Sequence, residues 1–186
     1  MPIYSDNYSY SFGKIRGAIQ QLYKIHGDNY DWYMKTDDDT YVVMDNLRTY
    51  LLTKNASEEH YLGFKLDFIR KGKRHIYHQG GAGMVFSRAA IKKLVSKGFT
   101  SKHKCSQNPQ NLDDRIIGRC MENLNINVTD ARDYKNRLTF CPASVVDFST
   151  PHKNEQYNKF ITKNPTGFGK GMPALSPYPI SFHYVP

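Results

Sequence analysis

The 186-residue sequence lacks any long hydrophobic segment. No run of about 18 apolar residues occurs in it, so nothing here predicts a membrane-spanning helix. The first residues also lack the pattern of a signal peptide. We therefore expect any attachment to a membrane to come only from a signal anchor outside this sequence.

Cysteine is scarce, with three residues, and no spacing of Cys and His resembles a zinc site. Cys105 and Cys120 belong to one predicted loop-to-helix unit, and a disulfide between them would fix the loop that carries Asp113 and Asp114. In an oxidising compartment this closure would contribute about 3 kcal/mol to stability. Cys141 is then either free or paired with a segment outside the sequence.

No long run of like charge follows a single predicted helix, although 26 Lys and Arg residues against 17 Asp and Glu give a net charge of +9. The basic residues stand in short clusters, at residues 71–74, 92–93 and 102–104. A nucleic-acid-binding surface usually concentrates them along one face or helix. We therefore expect no nucleic-acid partner and, instead, a basic surface that attracts anionic substrates.

The composition predicts one globular domain over residues 1–186, because 39% of the residues are hydrophobic. From residue 140 onward the periodicity fades while proline, glycine, tyrosine and asparagine become frequent. The part at 140–186 is therefore predicted to be rich in loops.

Apolar residues at steps of three and four predict four helices. These helices cover residues 11–27, 46–52, 88–97 and 113–124. Asp45 or Asn46 would cap the second helix, and Ser87 would cap the third.

Short apolar runs between these helices predict strands. One strand begins at Trp32, and the others lie at residues 61–64, 84–86, 126–128 and 180–185, while a further apolar run stands at 41–44. The charged and aromatic segment 67–78 is predicted to be an exposed excursion or a hairpin. Strands that alternate with helices predict an α/β fold.

Three consecutive carboxylates follow the first predicted strand, and they repel one another unless a cation or several donors lie among them. Asp37 and Asp39 share a face of an extended chain, whereas Asp38 points away. Two carboxylates on one face suit Mn²⁺ or Mg²⁺. A calcium loop is excluded, because Val42 and Arg48 occupy the positions that need Gly and Glu. A solvated acidic turn is the alternative.

Three glycines in four positions, Gly80, Gly81 and Gly83, precede an apolar strand. Glycine lets the backbone approach a ligand where any side chain would collide. An ordinary glycine-rich turn explains the same pattern.

Three further residues have two interpretations each. Asp113 and Asp114 begin a helix, where capping accounts for one carboxylate but does not require both. His183 lies on an aromatic strand, where it is either packed in the core or completes a metal site with two carboxylates.

Taken together, five blocks of the sequence resemble the beta-1,3-glycosyltransferases of family 31 in order and in rough spacing. The blocks are residues 32–48 (WYMKTDDDTYVVMDNLR), 61–64 (YLGF), 80–87 (GGAGMVFS), 113–121 (DDRIIGRCM) and 181–185 (SFHYV). Within the family they resemble above all the core 1 beta-1,3-galactosyltransferase group, and the fringe-like enzymes less.

The resemblance implies an α/β, GT-A-like fold, in which a mixed sheet is flanked by helices. It also implies a strand-helix-strand unit before the first helix, which this sequence does not contain, so we expect an N-terminally truncated domain with an incomplete uridine pocket. For the location, it implies a type II membrane protein of the Golgi with a lumenal catalytic domain.

Site residues follow from the matched blocks. Asp37 and Asp39 fall on the metal-binding pair of the family, with Asp39 the closer ligand, and His183 falls on its metal-ligand histidine. Asp114 falls on the acid proposed as the catalytic base, and Asp113 is expected to join it in catalysis.

The resemblance also predicts donor-binding residues and a disulfide. The residues expected to bind the nucleotide sugar are Asp37, Asp38, Gly80, Gly81 and Ala82. Cys105 and Cys120 fall on a disulfide of the family.

The implied reaction is inverting transfer of a hexose, galactose in the first instance, from UDP-galactose to a GalNAc-type acceptor on a glycoprotein or glycopeptide. Mn²⁺ is the implied cofactor, Mg²⁺ is the alternative ion, and homodimer formation stays open. A catalytically inactive relative that binds a partner, and a metal-dependent phosphodiesterase or nuclease, are the competing hypotheses.

Overall fold

The computed structural model describes residues 7–110, 112–150, 157–160 and 169–185. Within this part, the helices are α1 (Ser11–His26), α2 (Met44–Leu51), α3 (Arg88–Lys93), α4 (Asp113–Asn123) and α5 (Val145–Ser149). The strands are β1 (Trp32–Lys35), β2 (Tyr41–Val42), β3 (Tyr61–Gly63), β4 (Lys65–Arg70), β5 (Lys73–His78), β6 (Met84–Ser87), β7 (Val128–Asp130), β8 (Phe140–Cys141) and β9 (Ser181–Phe182). The expected α/β class is confirmed.

A four-stranded mixed sheet with the order β1-β6-β3-β7 forms the centre. β6 is antiparallel to both β1 and β3, and β7 is parallel to β3. Alternate side chains enter two different apolar clusters, as the period of two requires. Tyr61 and Phe86 pack on one face with α1, α3 and α4, whereas Leu62 and Val85 pack on the other face with α2 and the second sheet.

The second sheet, with the order β2-β9-β8, brings the last strand next to the acidic turn. β9 pairs antiparallel with β2, with Val42 opposite Ser181. The Val185 N–H then donates to the Asp39 carbonyl at 3.0 Å. β2 begins just after the three aspartates, so this register places the residue after β9 beside them.

Segment 67–78 belongs to a hairpin of β4 and β5, one of the two predicted alternatives. The hairpin is not wholly exposed, because Tyr77 and His78 are buried. α4 packs closely on β5, where a Cβ atom on Gly118 would lie 2.4 Å from the Tyr77 Cβ.

The predicted helices at 11–27 and 88–97 form, but with different ends. α1 ends at His26, before Gly27, whose φ is +47°. α3 ends at Lys93, and the chain continues in a π-helical turn, Leu94–Gly98. The Ser87 cap is confirmed, since its side chain accepts from the Ala90 N–H at 3.1 Å.

The predicted cap of α2 is wrong. Val43 occupies the cap position without a side-chain hydrogen bond, because the helix begins at Met44, ahead of Asp45 and Asn46. Asn46 instead donates its side-chain N–H to the Pro179 carbonyl at 2.7 Å.

Two predicted strands also shift. The strand expected at 126–128 begins at Val128, because the pairing with β3 begins there, with Val128 opposite Tyr61. The strand expected at 180–185 is limited to β9, and Tyr184 takes a φ of +59° that ends the extended backbone. No helix in the described part is both long and apolar enough to cross a membrane.

Candidate functional site

The acidic turn between β1 and β2 is fastened to the glycine-rich loop by Thr40. The Asp37 N–H donates to Thr40 Oγ1 at 3.0 Å, and Thr40 Oγ1 donates to the Gly81 carbonyl at 2.8 Å. One hydroxyl therefore closes the turn and fixes its position against the central sheet.

His183 lies against this turn. Its Nε2 is 3.3 Å from Asp39 Oδ1 and 3.9 Å from Asp37 Oδ2. One ligand atom from each residue lies within 4.8 Å of the others. The three predicted ligands are thus neighbours in space, and their role as metal ligands stays a prediction.

The His183 ring is also positioned by contacts on the side away from the two carboxylates. Gly81 has no side chain to displace it, since a Cβ atom there would lie 2.1 Å from His183 Cε1 and Nε2. Nδ1 is 3.3 Å from Gln79 Nε2, and the ring also hydrogen-bonds to the Pro142 carbonyl. In the tautomer in which Nδ1–H donates to the Pro142 carbonyl, the Nε2 lone pair is left to face the two carboxylates.

The donor set suits a divalent cation. Burial lowers the pKa of His183 and outweighs the opposing effect of Asp39 and Asp37, so the imidazole is neutral at pH 7, the form that binds metals. Adjacent ligands of an octahedral Mn²⁺ or Mg²⁺ are about 3 Å apart, close to the His183–Asp39 separation of 3.3 Å. Two carboxylates and one imidazole therefore fit such an ion and leave positions open.

Lys35 joins Asp37 of the acidic turn to Asp113 of α4, and the sequence analysis missed it. Its Nζ is 2.5 Å from Asp37 Oδ1 and 3.1 Å from Asp113 Oδ2, with 10% of its side chain exposed. Burial lowers the pKa of Lys35, but Asp113 and Asp37 raise it more, so the ammonium stays charged. Lys35 could have been predicted from the alternation of side chains along β1, because residues 35, 37 and 39 share one face of an extended chain.

Asp114 is the second acid of α4 and has a pKa near neutrality. Burial first, and then the charge of Asp113, raise this pKa from 3.8 to about 6. Its two oxygens accept from the Arg115 N–H at 2.6 Å and from the Gly80 N–H at 3.4 Å. Asp114 thus satisfies one free N–H of the first turn of α4, as the capping interpretation expected for one of the two acids, although the N-cap position itself is held by Leu112 without a side-chain hydrogen bond.

The backbone of the glycine-rich loop packs against side chains of the site. The Gly80 N–H faces Asp114, Gly81 makes room for His183, and Gly83 takes a φ of +92° with Met34 against it. Ala82 is buried, and its N–H donates to Gln79 Oε1 at 3.0 Å. Contact of this loop with a donor sugar stays a prediction.

A cavity of about 200 Å³ is lined by Asp37, His183, Asp113 and Asp114. Asp39 and Lys35 are not among the described residues that line it. Asp38 is exposed and does not line this cavity.

The predicted Cys105–Cys120 disulfide is confirmed, with Cα atoms 4.8 Å apart. It ties the loop before α4 to the helix that carries both acids. Cys141 is buried and free, and burial raises the pKa of its thiol.

Comparison with known proteins gives a consistent result. Residues 12–141 match the family model described as Fringe-like. The chain is 32% identical, over 90% of its length, to glycoprotein-N-acetylgalactosamine 3-beta-galactosyltransferase 1 of Xenopus laevis.

Two further relatives match shorter parts. The human beta-1,3-glucosyltransferase is 31% identical over 63% of the chain and 22% of its own length. Human chondroitin sulfate synthase 3 is 34% identical over 41% of the chain and 10% of its own length. The chain spans 45% of the Xenopus laevis protein, so it covers less than half the length of any of these three relatives.

Proposed function

Because the chain belongs to the Fringe-like family of glycosyltransferases, family 31, we propose that it is a GT-A-type, inverting beta-1,3-glycosyltransferase domain. Its donor is a UDP-hexose, with galactose as the first candidate, and its acceptor is a GalNAc-type sugar on a glycoprotein or glycopeptide. The name of the Xenopus laevis relative supports both choices. The name of the human glucosyltransferase makes glucose the second candidate.

One observation carries the proposal. Asp37, Asp39 and His183 form one cluster, and two of them, Asp37 and His183, line the same cavity as Asp114, whose pKa is about 6. A single inverting displacement has two requirements. One is a group that stabilises the departing diphosphate, and the other is a base that activates the acceptor hydroxyl.

Asp114 acts as the base. The acceptor 3-hydroxyl oxygen forms a bond to the anomeric carbon, the bond from that carbon to the UDP oxygen breaks, and the hydroxyl proton passes to a carboxylate oxygen of Asp114. The Gly80 and Arg115 N–H groups orient this carboxylate. A pKa of about 6 leaves it ionised at pH 7 and still able to hold a proton.

Asp37, Asp39 and His183 would hold Mn²⁺, with Mg²⁺ as the alternative. When bound, the ion supplies positive charge to the UDP diphosphate. The Lys35 ammonium contacts one oxygen of Asp37 and one oxygen of Asp113, and so offsets part of the negative charge of both acids. Asp38 and the backbone of residues 80–82 are proposed to border the nucleotide sugar.

The proposed location is the Golgi lumen, with a membrane anchor outside this sequence. The Cys105–Cys120 disulfide supports an oxidising compartment, because such bridges persist there and are rare in the cytosol.

The test is release of UDP from UDP-galactose and UDP-glucose in the presence of Mn²⁺ and a GalNAc-bearing glycopeptide. Transfer that disappears in Asp39→Ala, but persists in Asp45→Ala, supports the proposal. Asp45 is a matched control, because its carboxylate lies after the same turn and is almost fully exposed.

Two results would contradict the proposal. A folded chain with no transfer to any acceptor would support the competing hypothesis of an inactive relative that binds a partner. Hydrolysis of nucleic acid would support the phosphodiesterase hypothesis instead.

A further inference from the structure

A groove of about 560 Å³ lies beside the active-site cavity, between β4, α4 and the loop before α4. Leu112 and Arg115 line both the groove and the cavity. A molecule whose reacting group occupies the cavity can therefore extend into the groove without leaving the surface of the protein.

The groove is strongly basic. Its cationic lining residues are Arg70, Lys102, Lys104, Arg115 and Arg119, and His103 lies among them. No carboxylate is among the described residues that line it. Clustered charges of one sign raise the local concentration of ligands of the opposite sign.

These cations lie close enough together to repel one another. Burial and, after it, the charge of Arg70 lower the pKa of Arg119. The Arg115 guanidinium lies over the rings of Phe68 and Tyr77, at 5.4 and 5.9 Å, which fixes its position near the cavity. Lys104 donates to the neutral Asn123 carbonyl at 2.7 Å, so this contact leaves its charge uncompensated.

Apolar side chains lie between the cations. Ile69 is 76% exposed at the edge of the groove, and Phe68 and Ile116 line it further in. A polypeptide with acidic and apolar side chains matches this mixture better than a uniformly polar polysaccharide does.

We propose that this basic groove binds acidic residues of the acceptor polypeptide that flank the sugar-bearing position. The inference rests on the proposed function, since it names the acceptor class of the same site. The protein would thereby favour glycopeptides rich in Asp and Glu on one side of the acceptor sugar.

The test compares three fluorescent GalNAc-bearing glycopeptides of equal length with acidic, neutral or basic flanks. Fluorescence anisotropy with the 186-residue chain measures their dissociation constants without any need for turnover. We expect the acidic peptide to bind at least about tenfold more tightly than the neutral one at low salt, and the difference to shrink at about 0.5 M NaCl.

The variant is Arg70→Glu with Lys102→Glu, because both side chains are exposed in the groove. We expect it to bind the acidic peptide about tenfold more weakly and to bind the basic peptide more tightly than the unchanged chain does. Lys24→Glu with Lys135→Glu is the matched control, since both lysines are exposed and line neither groove nor cavity.

Equal binding of the three peptides, or an equal loss in both double variants, would overturn the inference. Groove-dependent binding of a polyuronate, without any preference for the acidic peptide, would overturn the choice of a polypeptide. UDP release with the neutral peptide tests the proposed function separately, so its absence leaves the anisotropy result readable.

Discussion

The imidazole Nε2 of His183 lies 3.3 Å from Asp39 Oδ1, although one residue follows the last strand and the other follows the first. Pairing of β2 with β9 produces this proximity, and the absence of a side chain at Gly81 makes room for the ring. The proposed metal site thus depends on backbone packing as much as on its three ligands.

Replacing Gly81 with alanine should disrupt that packing. The new Cβ would lie 2.1 Å from the His183 ring, so the ring must move away from Asp37 and Asp39. We expect Gly81→Ala to weaken Mn²⁺ binding more than about tenfold, as loss of a supporting group typically does. Isothermal titration calorimetry with Mn²⁺ measures this effect.

A double-mutant cycle separates displacement of the ring from general damage. In a His183→Ala background, Gly81→Ala should have little further effect on Mn²⁺ binding. Gly169→Ala is the control, because its Cβ would make only ordinary contacts, the nearest at 3.7 Å. Additive losses in the cycle would contradict the account.

The proposed base predicts how activity depends on pH. The pKa of Asp114 is raised to about 6 by burial and by Asp113, so the fraction of ionised base increases as the pH rises through 6. Transfer should fall about tenfold for each pH unit below that value and level off above it. Asp114→Asn should reduce the turnover number by about 10²–10⁴-fold, with Mn²⁺ binding unchanged. A pH profile of UDP release that is identical in the variant would rule out this role.

The same raised pKa predicts that Asp114 lowers stability at neutral pH. A carboxyl with a folded-state pKa above its unfolded value favours the folded state when protonated, and this contribution is lost as the pH rises from about 4 through 6. Each pKa unit corresponds to about 1.4 kcal/mol, so Asp114→Asn should raise the free energy of unfolding at pH 7 by up to about 3 kcal/mol. Urea denaturation at pH 7 and pH 4 checks this, and the gain should vanish at pH 4.

Lys35 should matter for stability because it is a nearly buried cation between two acids. Lys35→Met leaves Asp37 and Asp113 without their shared partner, and we expect a loss of about 3 kcal/mol in the free energy of unfolding. Lys93→Met, which breaks the more exposed pair with Glu59, should cost less than about 1 kcal/mol. Similar losses for both variants would show that the buried network has no special role.

Local patterns were sufficient to predict much of the fold. The three-and-four spacing of Phe12, Ile15 and Ile19 predicts α1, and the Ser87 cap follows from side-chain chemistry alone. The cap of α2 could not be predicted, because pairing of the Val43 N–H with the Ile180 carbonyl fixes where that helix begins. Such a contact joins distant parts of the chain and leaves no trace in local periodicity.

Some residues of the site could likewise be predicted from local patterns, and others could not. The shared face of Asp37 and Asp39 follows from alternation along the chain, and it would have included Lys35 as well. The position of His183 depends on the register of β2 and β9, so residue chemistry made this histidine one of two alternatives, and the resemblance to a family favoured the metal ligand. Its contact with Gly81 depends on the three-dimensional packing of two loops, so the sequence analysis did not predict this contact and gave Gly81 only a role at the donor sugar, which stays a prediction.

Titration of the chain with Mn²⁺, followed by electron paramagnetic resonance of the free ion, tests the central claim most directly. The account predicts one Mn²⁺ site per chain, which weakens by at least about 100-fold in Asp39→Asn and in His183→Ala, since each removes a direct ligand. Asp45→Asn, which changes an exposed carboxylate, should leave binding as it was. If Mn²⁺ binds equally to the unchanged chain and to both ligand variants, or to none of them, the proposed metal site is contradicted.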